Sequence, residues 1–159
     1  MDSIKTSPES KAVRPAIKML LNDYYTYEKR SIFSNGSLSP HCRLEDTPGT
    51  VENIEHILTQ CIATANIRNT LLEELSKTIK ESKSNIDIDM LFGNTKYLVQ
   101  FLLDCSSQNL DPRLRMTSDN QSRKSIFFMT RRLINAIHCE RLRLLSQVQK
   151  TKLNGQHLF

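Results

Sequence analysis

The sequence predicts an all-α fold of four to five helices with one short irregular loop. Two observations carry that prediction. Apolar residues recur at three and four through most of the chain, which is the period of a helix face. Only NIDIDMLFG (85–93) alternates as a strand would, and it has no evident pairing partner. The 159 residues suit one domain with a modest core. With four glycines and five prolines among them, collagen-like and low-complexity readings fall away.

Each element has its own signals. Residues 1–10 read as a polar, disordered tail. From Lys11 to about Phe33 one face carries Ala16, Ile17, Leu20, Leu21, Tyr24 and Tyr25, with Pro15 suited to the first turn. SNGSLSP (34–40) stops that helix, and residues 41–50 form the irregular stretch. Thr50 is the expected N-cap of the next helix, with Glu52 in its positive first turn. That helix carries Ile54, Ile57, Leu58 and Cys61, and helical spacing resumes through Ile67, Leu71, Leu72, Leu75 and Ile79. A short helix over 96–105 is capped by Asn94 or Thr95, completing a helical region over 11–109. A loop over 110–121 leads to the last long helix, 122–150, and a tail, 151–159. The stripe of that helix, Ile126, Leu133, Ile137 and Leu144, is expected to pack on Leu71/Leu75 or Leu102/Leu103.

Charge is unevenly placed. The chain carries +5, but residues 110–159 carry +7 and the remainder −2. A basic segment attracts polyanions, and nucleic acid, RNA or DNA, is the commonest intracellular one. Arg123, Lys124, Arg131, Arg132, Arg141 and Arg143 are the phosphate-contact candidates. No stretch approaches the ~18 apolar residues of a membrane span, and the N-terminal segment has no apolar signal core. An intracellular setting, nucleus or cytoplasm, is the expectation, with thiols free or metal-bound.

The densest chemistry lies in CRLEDTPGTVENIEHILTQC, residues 42–61. Cys42, His56 and Cys61 are ligand types that zinc prefers, and a structural zinc site takes four. His41, Glu45 and Asp46 are the candidates for the remaining position. Five helical steps separate His56 from Cys61, so on a straight helix they point about 140° apart. The helix must therefore end or bend just before Cys61.

Here the sequence resembles the cysteine/histidine-rich region at the C-terminal end of non-LTR (LINE-type) retrotransposon reverse transcriptases. The matching residues are Cys42-Arg43-Leu44, Pro48-Gly49-Thr50, Glu52, His56-Ile57-Leu58, Cys61 and Ile67-Arg68. The likeness runs upstream through Lys18, Leu20-Leu21, Tyr24, Arg30 and Phe33, and downstream through QFLLDCS (100–106) and ERLRLL (140–145). It implies a zinc-knuckle-like loop over 41–61 and a non-enzymatic module that grips RNA or DNA for a neighbouring polymerase. The chain departs from the pattern at the second cysteine, where Glu45 or Thr47 stands. It also has no Tyr-x-Asp-Asp palm motif and no endonuclease constellation. With one thiolate missing, a preserved loop with weak or absent zinc binding is expected, restored by cysteine at position 45 or 47. No small-molecule substrate is evident, and the alternative to nucleic-acid binding is a helical interaction or relic domain.

The remaining reactive residues read as structural. Cys105 and Cys139 suit packed positions. His138 and Cys139 are adjacent on a helix and so do not face each other. Phe127, Phe128 and the tyrosines are expected mostly in the core.

Overall fold

Backbone stop signals, more than apolar periodicity, decide where the helices of this chain end. The computed structural model describes residues 8–44, 49–82, 84–116 and 119–155. The helical face expected over 11–33 is two helices, α1 (Pro8–Leu20) and α2 (Tyr27–Phe33). Asn22 separates them with φ at 53°. Its N–H donates to Met19 O at 3.1 Å, and that of Asp23 to Lys18 O at 2.6 Å, the paired bonds of a Schellman motif. Asparagine tolerates this left-handed backbone better than most side chains. Asn35 (φ 51°) ends α2 the same way, with Gly36 N–H bonded to Ser31 O at 2.9 Å. α1 begins three residues before the expected tail ends, so Pro15 lies inside it rather than in its first turn.

Further on, α3 spans Ala65–Glu81. The segment that alternates like a strand is instead α4 (Ile88–Gly93), because Asp87 caps it by accepting from Met90 N–H at 2.9 Å. Asn94 caps α5 (Thr95–Leu103), as expected. The loop over 110–121 contains one 3-10 turn at Pro112–Leu114. α6 runs over Asn120–Gly155, longer at both ends than 122–150, with Asp119 accepting from the N–H groups of Gln121 and Ser122. At 36 residues it is about 54 Å long.

The all-α class holds. Among the described residues there are six α-helices, two of them short, and no strand beyond an isolated antiparallel bridge between His41 and Val51. No helix among those residues is long and apolar enough to cross a membrane. The expected single domain is two compact units: residues 1–24 with 71–135, and residues 25–70 with 136–159. The boundaries at 70/71 and 135/136 fall within α3 and α6, so each helix contributes to both units.

The first unit has an apolar core. α5 packs on α1 and α4, and Phe101, Leu102, Leu91, Leu75, Ile126 and Leu133 are fully buried. The second unit buries fewer apolar side chains: Tyr27, Ile57, Leu58 and Ile137. Beside them it buries Glu52, His56, Thr64, Arg68 and Arg141. Of the expected α6 stripe, Ile126, Leu133 and Ile137 are buried and Leu144 is half-buried.

Replacing Phe101 with alanine removes a fully buried ring from the first unit and should cost about 3–5 kcal/mol of stability. Leu142→Ala, at a side chain 49% exposed, should change it by no more than about 0.5 kcal/mol. Urea unfolding of the two variants checks the contrast.

Candidate metal centre

Two short extended segments place the first ligand. Cys42 N–H donates to Thr50 O at 2.9 Å, and Glu52 N–H to Pro40 O at 3.0 Å, around the His41–Val51 bridge. Successive side chains on extended backbone point to opposite sides. Cys42 is accordingly buried and His41 exposed. His41 is thereby removed as a ligand to this cluster. Glu45, Asp46 and Thr47 lie outside the described residues.

The other two ligands come from an irregular helical turn. Asn53, not Thr50, caps it, accepting from His56 N–H on Oδ1 at 2.8 Å. Residues His56–Gln60 then form a π-helical turn, closed by Cys61 N–H bonding to His56 O at 2.8 Å. This i→i+5 bond widens the turn, and π-turns of this kind are frequent at functional sites. The chain leaves helical geometry at Cys61 (φ −54°, ψ 117°). The bend required by the H-x4-C spacing is therefore present where it was expected. Arg68 Nη1 and Thr64 Oγ1 both donate to the freed Cys61 carbonyl, at 2.6 and 3.3 Å.

The result is a buried trio. The ligand atoms of Cys42, His56 and Cys61 all lie within 4.8 Å of one another. Two thiolates sharing a tetrahedral zinc at ~2.3 Å would sit about 3.8 Å apart, so these residues fit a metal ion with little movement. Protonation is unequal across the trio. The Cys42 thiol is pushed up, first by its hydrogen bond to Cys61 and then by burial. Cys61 is pushed down because Cys42 donates to it; burial opposes this, and His56 adds to it.

Glu52 stands beside the trio, with Oε2 3.8 Å from Cys42 Sγ. It is not in the first turn of a helix. It accepts from Tyr27 N–H at 3.0 Å and from both arms of Arg141, Nε at 3.1 Å and Nη2 at 2.5 Å. Arg141 also lies 5.8 Å from the centroid of the Tyr27 ring, and Arg43 lies 4.9 Å from it. Sequence reasoning cannot find this ion pair, since 89 residues separate its partners.

The six basic candidates divide sharply. Arg141 is buried on Glu52, and Arg131 is buried too, so neither is a phosphate contact. Arg131 instead donates from Nη2 to Leu103 O at 2.6 Å, satisfying the C-terminal end of α5, and covers the Phe127 ring at 4.7 Å. Arg132 is exposed but bound to Glu74, and Arg143 is bound to Glu140. Arg123 and Lys124 are exposed, and no ion pair among the described residues engages them. Cys105 is packed as expected, whereas Cys139 is exposed.

Arg141→Ala leaves the Glu52 carboxylate buried without its guanidinium and should cost about 3–5 kcal/mol in urea unfolding. Arg141→Lys should recover only part of that loss, because an ammonium cannot reproduce the two-armed contact.

No protein-family model, curated protein or solved structure matches this chain.

Proposed function

We propose that the chain is a non-enzymatic nucleic-acid-binding accessory module, organised around a zinc-knuckle-like centre and resembling the C-terminal region of a non-LTR retrotransposon reverse transcriptase. The observation that carries this reading is the convergence of Cys42, His56 and Cys61 within 4.8 Å, three residues that also match that family's motif. Zinc suits the donors, two sulfurs and an imidazole, better than a hard cation would. Three ligands hold it more weakly than four, and acid weakens it further because thiolates and neutral imidazole are the ligating forms. The polyanion-binding part of the reading rests on the +7 charge of residues 110–159 and on the exposed Arg123 and Lys124.

A second reading, a helical interaction domain, is favoured by Ile32 and Phe33 of α2, which are 67% and 79% exposed. Salt separates the two. Titration of single-stranded RNA with the zinc-supplemented protein should give a log–log slope of about −0.7 for each phosphate neutralised. Absence of binding even at low salt would favour the interaction domain. Metal analysis after dialysis should give clearly less than one zinc per chain, rising in Glu45→Cys or Thr47→Cys.

A further inference from the structure

Resting on the nucleic-acid reading above, we infer that the face of α6 around Phe128 is a stacking platform for an unpaired base of single-stranded nucleic acid. The aromatic residues of α6 are expected in the core, yet Phe128 is 61% exposed. Its neighbour Phe127, 42% exposed, carries the Arg131 guanidinium at 4.7 Å from its ring centroid. Among the described residues no cation–ring contact covers Phe128. The ring borders an open hollow of about 460 Å³, lined also by Thr78 of α3 and by Gln121, Lys124, Ser125 and Met129 of α6.

The composition of that hollow selects its occupant. Lys124 lies one helical turn before Phe128 and therefore on the same face. It is exposed, and no ion pair among the described residues neutralises it. Glu74 of α3 is already held by Arg132, and Asp119 accepts from the N–H groups of Gln121 and Ser122. Gln121 and Ser125 add neutral donors and acceptors suited to a base edge, while the Thr78 hydroxyl, which donates to Glu74 O at 2.8 Å, adds an acceptor. An exposed ring, a cation one turn away and amide and hydroxyl groups between them match the requirements of single-strand binding: a π-face for the base and a charge for the adjoining phosphate. A duplex keeps its bases stacked on each other and offers the ring no free face. A wholly apolar protein partner would leave Lys124 and Gln121 without matching groups.

The test uses the full chain and a labelled oligouridylate of roughly 12 nucleotides, a length within the range of single-strand binding sites. Phe128→Ala should weaken binding about 5- to 150-fold, the loss of one base stack. Phe128→Tyr should bind within about twofold of the parent, while Phe128→Leu should be as weak as the alanine variant, since stacking and not apolar bulk is at issue. Lys124→Gln should reduce the salt slope by about one phosphate. The chain contains no tryptophan, so Phe128→Trp introduces a single indole. Its emission should be quenched by the oligonucleotide and not by inorganic polyphosphate. Because Phe128 is exposed, circular dichroism of each variant should match the parent. Equal binding by the parent and Phe128→Ala, or a duplex binding as tightly as the single strand, overturns the platform and leaves the broader reading standing. Self-association lost in Phe128→Ala assigns the ring to a second copy and also overturns the platform. A parent protein that binds no nucleic acid at low salt overturns the broader reading and the platform with it.

Discussion

The second unit depends on the buried ion pair between Glu52 and Arg141. Taking two charges out of water costs several kcal/mol each, and only good geometry with further hydrogen bonds offsets it. Here both carboxylate oxygens meet the guanidinium, and Tyr27 N–H supplies an additional donor. Four pieces of chain meet at this carboxylate: the start of α2, Cys42, the extended stretch that carries Glu52 itself, and α6. The buried apolar side chains there, Tyr27, Ile57, Leu58 and Ile137, make a small core. Small cores commonly use a staple such as a metal or a disulfide, and the Cys42–His56–Cys61 trio, which could hold a metal ion, lies in this unit. The first unit buries the larger apolar core.

The candidate ligands were legible because their chemistry is local. Cysteine and histidine types, their spacing and the angular argument for a bend before Cys61 all come from a twenty-residue window. The structure adds how the bend is made, through a π-helical turn and a carbonyl claimed by Arg68 and Thr64. Helix content was legible for the same reason, since periodicity and caps such as Asn94 act over a few residues. The break at Asn22 was not, because the apolar face continues past it through Tyr24 while the backbone turns left-handed. The helix at Ile88–Gly93 was hidden by alternation of isoleucine with aspartate, where the first aspartate of the run, Asp87, acts as a cap.

Charge was the least legible property. An arginine looks the same in a sequence whether it faces water or a buried carboxylate. Arg131 and Arg141 serve a helix end and Glu52, and Arg132 and Arg143 are committed to glutamates on the surface. The +7 segment therefore presents less uncommitted charge than its composition suggests: among the described residues, the exposed cations of α6 outside any ion pair are Arg123 and Lys124 near its start and Lys150 near its end. On the proposed nucleic-acid reading, contacts other than charge are needed, and the exposed ring of Phe128 is the one inferred above.

Cobalt titration of the reduced protein, followed by absorption spectroscopy, tests the metal centre most directly. Cobalt takes the place of zinc, and thiolate ligation gives an intense near-ultraviolet charge-transfer band with visible bands of tetrahedral type. Both are expected, saturating at one cobalt per chain, displaced by zinc, and lost in Cys42→Ser and Cys61→Ser. A spectrum of free hexaaqua cobalt throughout, or thiolate bands unchanged in both serine variants, would contradict the metal centre.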